Sequence, residues 1–440
     1  MQHADTPNIL YLHSHDTGRY IQPYGYAIPT PNLQRLAEQG VLFRQAFCAA
    51  PTCSPSRAAL LTGQWPHCSG MLGLAHRGFR LRDYRQHWLH TLRAAGYRSA
   101  LIGVQHIAGG ANSQPEDIGY DQIVPLAERN GADIAAAAAR FLEQKPPTPF
   151  FLDVGFHETH RPFPAPEPAA DARYLRPPPP VPDTAETRAD MAAFATSAHR
   201  LDAQMGAVLG ALEAAGYAQN TLVICTTDHG VAFPFCKCHL TDHGLGVMLL
   251  LRGPGGFAGG KVLDAMVSHV DLFPTLCDLL GLPRPAWLQG VSLLPLARGE
   301  TDSVREELFG EVTYHAAYEP QRCIRTRRWK YIRRFDQRTF CVRPNTDASL
   351  SRDVVLAHDW AGQPREREML YDLVFDPQEA RNLVAAPQAQ TALADLRSRL
   401  ERWMRETQDP LLRGPVPLPP GACANDPDGV SPSEPPALRG

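Results

Sequence analysis

The chain has 440 residues, 44% hydrophobic and 20% charged, with a formal net charge of -3. At about 100–200 residues per domain this length calls for two domains, and the near-neutral balance gives no electrostatic reason to expect nucleic acid or a membrane surface as partner. No run approaches the roughly 18 apolar residues of a membrane span, and the ten cysteines are scattered, so most read as buried thiols, Cys225 and Cys277 in apolar runs among them.

The start, MQHADTPNILYLHSHD, has no basic n-region, h-region or cleavage site and reads as cytoplasmic. If a signal has been removed, the expectation becomes periplasmic or secreted. Asn8–His13 reads as a buried strand. Thr30-Pro31 then looks like a cap followed by proline at the first helical position, with Gly40 closing that helix. A helix near His90–Ala95 stops at Gly96, and Arg98–Gly103 is the next strand. Ala132–Glu143 is an alanine-rich helix, followed by the strand Pro149–Phe156. Ala192–Ala215 is a long helix closed by Gly216, and Leu222–Thr227 and Val247–Leu251 are further apolar runs. This alternation predicts an α/β fold, a doubly wound and mostly parallel sheet covered on both faces.

The texture changes near Ile324. RTRRWKYIRRF and REMLYDLV read as short amphipathic strands and Pro387–Thr407 as one helix. The expected division is a catalytic domain over 1–321 and a smaller α+β domain over 322–414. The Pro/Ser/Asp-rich stretch 415–440 is expected to be disordered.

Polar clusters stand just past four of the strands: HSHDTGR, GVQH, FHETHRPF and TTDHG. Open α/β sheets bind ligands outside the carboxyl ends of their strands, so these four can share one pocket. Between the first two lies Cys53-Ser54-Pro55-Ser56-Arg57, continuing to Gly63. By pattern alone this is a capped helix start with a small residue in front. As C-x-P-S-R-x-x-x-x-T-G it resembles the signature of the sulfatase family, whose cysteine is oxidised to formylglycine. TPNLQRLAEQGVLFRQAF, SHVDLFPTLCDLLGL, LQGVSLLPLARG and LYDLVFDPQEARNL extend the likeness from Asn8 to about Leu411. CSPSRAALLTGQWPHCSGMLGL, PFFLDVGFHETHR, VPDTAETRADMAAF and LRSRLERWMRETQDPLL are similar to the heparan N-sulfatase (sulfamidase) branch.

The resemblance implies a fold like that of the alkaline phosphatase superfamily and hydrolysis of a sulfate ester or sulfamate, with an N-sulfoglucosamine-like sugar as substrate. A formylglycine hydrate offers two hydroxyls on one carbon, one to attack sulfur and one to release sulfate. A divalent metal lowers the nucleophile's pKa and holds the sulfate oxygens. Carried over residue by residue, the metal set is His15, Asp16, Asp228 and His229. Arg57 fixes the formylglycine, His106 stands near it, and His160 and Lys237 meet the sulfate and leaving group. A formylglycine-generating enzyme is the implied partner, and the oligomeric state is left open. Tyr314, His315, Tyr318, Glu319 and Arg322, in EVTYHAAYEPQR, read both as a domain seam and as a rim for sugar, with His315 and Arg322 as candidate substrate contacts.

Three positions depart from the family pattern. His15 stands where aspartate is usual, His229 where asparagine is usual, and Val104 where a lysine precedes His106 by two. The family's calcium prefers oxygen ligands, whereas imidazoles suit Mn2+, Zn2+ or iron. His15 and His229 therefore either bind such a metal or step back behind the ligands. Two other readings stay open: a phosphodiester or phosphonate monoester hydrolase of the same superfamily, and a non-catalytic binding homologue. Cys236, Cys238, His239 and His243 lack the spacing of common zinc motifs and read instead as the stretch that delivers Lys237. His3 and His13 are given no role, and His67 either lines the pocket or caps a turn.

Overall fold

Asn8–Ser14 (β1) is apolar at both odd and even positions, as a strand buried on both faces must be. In the computed structural model, which describes residues 6–110, 112–128 and 130–440, this strand sits inside an eight-stranded sheet. His3 lies outside the described residues. The other strands are Val41–Phe47 (β2), Arg98–Gly103 (β3), Gln122–Ile123 (β4), Phe150–Gly155 (β5), Thr221–Thr227 (β6), Leu249–Arg252 (β7) and Lys261–Ser268 (β8). They lie in the order β4-β3-β5-β1-β6-β7-β2-β8. Every neighbouring pair is parallel except those of β7, which runs against β6 and β2. Ile9 and Tyr11 pack into one buried cluster and Leu10 and Leu12 into another, so the sheet carries a core on each face. The expected doubly wound α/β architecture is present.

Helices follow their local signals. Pro31–Gln39 begins after Thr30 with proline in its first turn. The long helix is Ala185–Ala214, starting seven residues before the expected Ala192; Thr184 caps it and Thr187 reaches back to the cap's backbone. The C-terminal helix is Gln390–Glu406.

Two boundary expectations are corrected. Residue 322 falls inside a strand, because Leu308–Tyr314 (β9) pairs antiparallel with Tyr318–Arg325 (β10) and not with the large sheet. The smaller sheet therefore begins at Leu308 and continues with Trp329–Arg334 (β11) and Glu368–Asp372 (β12). The stretch 415–440, expected to be disordered, is instead packed. Ala422 and Ala424 are buried, Cys423–Ala424 pairs with Leu438–Arg439, and the Asn425 amide donates to the carbonyls of Ser431 (3.2 Å) and Glu434 (3.0 Å). Its prolines restrict the unfolded chain and so lower the cost of ordering it. Trp403, from the last helix, stacks on Phe309 at 4.6 Å and meets Trp65 edge-on at 5.6 Å, joining the two domains.

Candidate active site

The four clusters sit on β1, β3, β5 and β6, which are contiguous in the sheet as β3-β5-β1-β6. Their carboxyl ends thus form one row. Thr52 is extended and Cys53 is the first residue of the helix Cys53–Thr62. Arg57 follows four residues later, one turn on and on the same face. Ser56 Oγ donates to the Asp228 carbonyl at 2.5 Å and fastens the helix start to the end of β6. Arg57 Nη2 donates to the Ser14 carbonyl (2.8 Å) and lies 3.1 Å from Asp228 Oδ2. Its Nη1 donates to His13 Nδ1 at 2.6 Å. His13 must then carry its hydrogen on Nε2, which faces Asp153 Oδ1 at 2.8 Å. His13, given no role above, is a buried prop for Arg57.

Single ligand atoms of His15, Asp16, Cys53 and Asp228 all lie within 4.8 Å of one another. Asp16 has φ 51, a strained conformation for aspartate that turns its carboxylate inward. Asp228 Oδ1 accepts the backbone N–H groups of Asp16 (2.8 Å) and His229 (2.9 Å). His229 donates Nδ1–H to the Gly230 carbonyl at 2.9 Å, which leaves Nε2 as a lone pair 3.2 Å from Asp16 Oδ1 and 3.3 Å from Cys53 Sγ. His15 Nδ1 stands 3.1 Å from Asp228 Oδ2. His15 Nδ1, Asp16 Oδ1 and Asp228 Oδ2 are buried and make no hydrogen bond. The His229 Nε2 lone pair and Asp16 Oδ1, 3.2 Å apart, repel unless a cation lies between them, so the donor set fits a metal ion.

Burial, then Arg57, keep His15 well below the usual histidine pKa, so its imidazole is neutral and can act as a ligand. Burial alone would raise Asp228, but the groups around it, with the Arg57 guanidinium the full positive charge among them, hold it well below the carboxylate range. Burial pushes the Cys53 thiol well above its ordinary value, with Asp16 and Asp228 adding to the effect, so the unmodified residue is a poor thiolate.

Lys237 reaches the pocket from a turn in which Phe235 and Cys238 both have positive φ. Its Nζ donates to Asp16 Oδ2 at 2.9 Å and to Asp347 Oδ2 at 3.0 Å. Burial opposes its charge, and these two carboxylates override that and keep it protonated. Cys236, Cys238, His239 and His243 form no metal-ligand cluster among the described residues. His160 and His106 complete the setting, with rings 5.5 Å and 5.6 Å from that of His15. His315 is buried here as well, held below the usual histidine range by burial and by Lys237. Asp16, Asp228 and Asp347 against Lys237 and Arg57 leave one net negative charge, which a divalent ion would turn positive for an incoming sulfate.

Three groups have no signal in the motifs. Asp347 comes from a loop 110 residues beyond Lys237, Asp153 lies within β5, and His76 lies in a turn after the Cys53 helix. Val104 lines a cavity of about 400 Å³ with Ile123, Val124, Pro125 and Leu126, so that wall is apolar. Gln105 does not replace the family's lysine, because its amide folds back onto Ile107 and Ala108.

Arg322 is not a substrate contact, which corrects the expectation above. It is fully buried, donates to Asp409 Oδ2 (2.6 Å) and Oδ1 (3.1 Å), and pairs with Glu311 at 3.1 Å. Tyr314 donates to the Val416 carbonyl and Glu319 pairs with Arg365, so EVTYHAAYEPQR is mainly a seam, with His315 alone of its candidates in the pocket. His67 neither lines the pocket nor caps a turn: its Nδ1 meets both oxygens of Glu311 at 3.0 Å. Burial would lower its pKa, but Glu311 reverses this and raises it to about 10. A histidine raised on folding contributes fully below its unfolded value of about 6.5, and the contribution fades as pH climbs through 10. Melting temperature measured from about pH 7 to about pH 10 should therefore fall more steeply in the parent than in His67→Gln. Equal slopes would show that His67 is not charged at neutral pH.

A model of the sulfatase family matches residues 7–282, and one described as N-sulphoglucosamine sulphohydrolase, C-terminal, matches residues 229–341. The chain is 32% identical over 470 aligned residues to N-sulphoglucosamine sulphohydrolase of Homo sapiens, covering 93% of this chain and 92% of that protein. It is 25% identical to delta 4,5-hexuronate-2-O-sulfatase of Bacteroides thetaiotaomicron, covering 100% and 97%. Among solved structures, a protein in complex with its substrate D-glucosamine-2-N,6-O-disulfate superposes with a TM-score of 0.73 at 19% identity, over 93% of this chain and 99% of that one. A 2-O GAG sulfatase superposes with a TM-score of 0.70 at 22% identity, over 96% and 95%.

Proposed function

The chain belongs to the sulfatase family, and on that premise we propose that it hydrolyses a sulfate ester or sulfamate on a sugar, N-sulfoglucosamine first among the candidates. The nucleophile is formylglycine made from Cys53, held with one divalent metal. The observation that carries the reading is the convergence of Cys53 with His15, Asp16 and Asp228, three of whose buried donor atoms have no hydrogen bond. Relatives named for N-sulphoglucosamine and hexuronate sulfate support the sugar. So does a cleft of about 390 Å³ beside the site, lined by His157, His160, Glu158, Ser197 and Arg200 and rich in groups that bond hydroxyls and anions.

His15, Asp16, Asp228 and His229 would hold the metal, which supplies Lewis-acid polarisation of the sulfate and lowers the pKa of the nucleophile. Two imidazoles in this set favour Mn2+ or Zn2+ over calcium. The hydrate of the formylglycine aldehyde carries two hydroxyls on one carbon, so one attacks sulfur as the sugar oxygen or nitrogen departs, and the other, on losing its proton, re-forms the aldehyde as the C–O bond to sulfate breaks. Arg57 orients position 53 and balances Asp228. Lys237, kept protonated between Asp16 and Asp347, meets a sulfate oxygen and gains most where charge accumulates in the transition state. His160 faces the cleft and hands a proton to the departing oxygen or nitrogen.

Metal-loaded protein with position 53 converted should be assayed on an aryl sulfate, an aryl sulfamate and an aryl phosphate diester. The sulfo substrates are expected to turn over at least about 100-fold faster than the diester. A diester preferred over both would replace this reading with the phosphodiesterase one.

A further inference from the structure

Resting on the reaction just given, we propose that His76 is a positioning residue that sets the tautomer and orientation of His106. His76 Nδ1 lies 3.0 Å from His106 Nε2, and the rings meet edge to edge and nearly coplanar, with centroids 5.3 Å apart and 8° between planes. His106 has φ 56, so its backbone is held in a conformation that side chains rarely adopt. With Nε2 taken by His76, the remaining nitrogen, Nδ1, is buried and has no hydrogen bond. One His106 nitrogen lies within 4.8 Å of both Cys53 Sγ and a His15 nitrogen. His106 thus gives Nε2 to His76 and keeps Nδ1 buried and unbonded, in a ring that stands beside Cys53 and His15.

The partner is itself fixed from both sides. The Ala75 N–H donates to Ser54 Oγ at 3.0 Å, tying the turn to the Cys53 helix. Arg77 donates to Asn425 Oδ1 at 2.5 Å and to the Pro432 carbonyl at 3.0 Å, tying it to the C-terminal segment. In the family pattern His106 has a lysine two residues before it, whereas here that position is Val104, on an apolar wall. The polar neighbour of His106 therefore comes from a different loop. When His106 Nε2–H donates to His76 Nδ1, His106 Nδ1 is left bare as a buried acceptor, which is the tautomer a general base at position 53 requires. Without His76 the ring is free to flip or to carry its hydrogen on the wrong nitrogen.

The test is kinetic and spectroscopic. His76→Ala should lower kcat on an aryl sulfate by about 30-fold while KM stays within about 2-fold. His76→Asn, whose amide takes the place of Nδ1, should recover to within about 3-fold of the parent, whereas His76→Leu should not. Conversion of Cys53 is measured in each variant by peptide mass, so that rates refer to converted protein. Nitrogen-15 spectra of zinc-loaded protein, with His106 assigned by its absence in His106→Gln, should show the Nε2–H tautomer in the parent and its loss in His76→Ala. Asparagine no better than alanine, a change confined to KM, or an unchanged tautomer would overturn the proposal. If the parent hydrolyses no sulfo substrate, the functional reading fails, while the spectra still decide the pairing of His76 with His106.

Discussion

Cys53→Ala is expected to remove turnover, by about 10⁴-fold or more, while fold and metal content persist. The residue is first in its helix and 1% exposed, and alanine fits the space the thiol leaves. Arg57 keeps its contact with Asp228, and Lys237 its contact with Asp16, without it. The loss should therefore be one of chemistry. The matching measurement on the parent is the mass of the tryptic peptide Gln45–Arg57, which should be lighter by about 18 Da where thiol has become aldehyde. This peptide also contains Cys48, so fragment ions must place the shift on residue 53. Because burial raises the Cys53 thiol well above its ordinary pKa, an unmodified cysteine is poorly suited to serve as a thiolate nucleophile. Full activity with cysteine unmodified, or activity kept by the alanine variant, would overturn the formylglycine reading.

Asp228→Asn should cost nearly as much, about 10³-fold in rate, and should take the bound metal from about one equivalent to under about a tenth. Asp228 Oδ1 accepts two backbone N–H groups, and Oδ2 faces both His15 and Arg57. An amide keeps the size but removes the charge, and it leaves Arg57 buried without its carboxylate. Metal analysis of the parent separates two outcomes of the unusual ligand set. Manganese, zinc or iron at one equivalent fits His15 and His229 as ligands, and the double change His15→Asp with His229→Asn should then move the preference toward calcium. Stoichiometric calcium in the parent, with no transition metal restoring activity to stripped protein, would place the two imidazoles behind the ligands. Asp228→Asn retaining its metal would remove Asp228 from the set altogether.

The strands were legible because each is a short apolar run bounded by glycine, proline or a polar cluster, and because helices separate them. That pattern was enough for the doubly wound sheet and for the prediction that four polar clusters meet. The Cys53 motif was legible through its resemblance to the sulfatase signature; helical spacing puts Arg57 one turn after Cys53, but by itself that reads as an ordinary capped helix start. Boundaries were weaker. Thr184, which caps the long helix, precedes residues with little apolar periodicity, and β9 reads no differently from a strand of the larger sheet until its partner is known.

Local pattern therefore carried the fold class and the meeting of the four polar clusters, since each depends on neighbours a few positions away, while the nucleophile and the roles of the residues around it came from the resemblance to the sulfatase family. Tertiary structure alone decided which charges face one another. Arg322 and His315 are seven residues apart, yet the first is spent on Asp409 and Glu311 at the seam while the second enters the pocket. Asp347 meets Lys237, and His76 meets His106, across loops that no periodicity links. The packing of the 415–440 segment was equally out of reach, because Pro-rich composition lowers the entropy cost of ordering but does not reveal the surface that will receive Ala422 and Ala424. Burial and pairing are set by what the whole chain brings to a point, and in a sheet ordered β4-β3-β5-β1-β6-β7-β2-β8 those neighbours come from distant parts of the sequence.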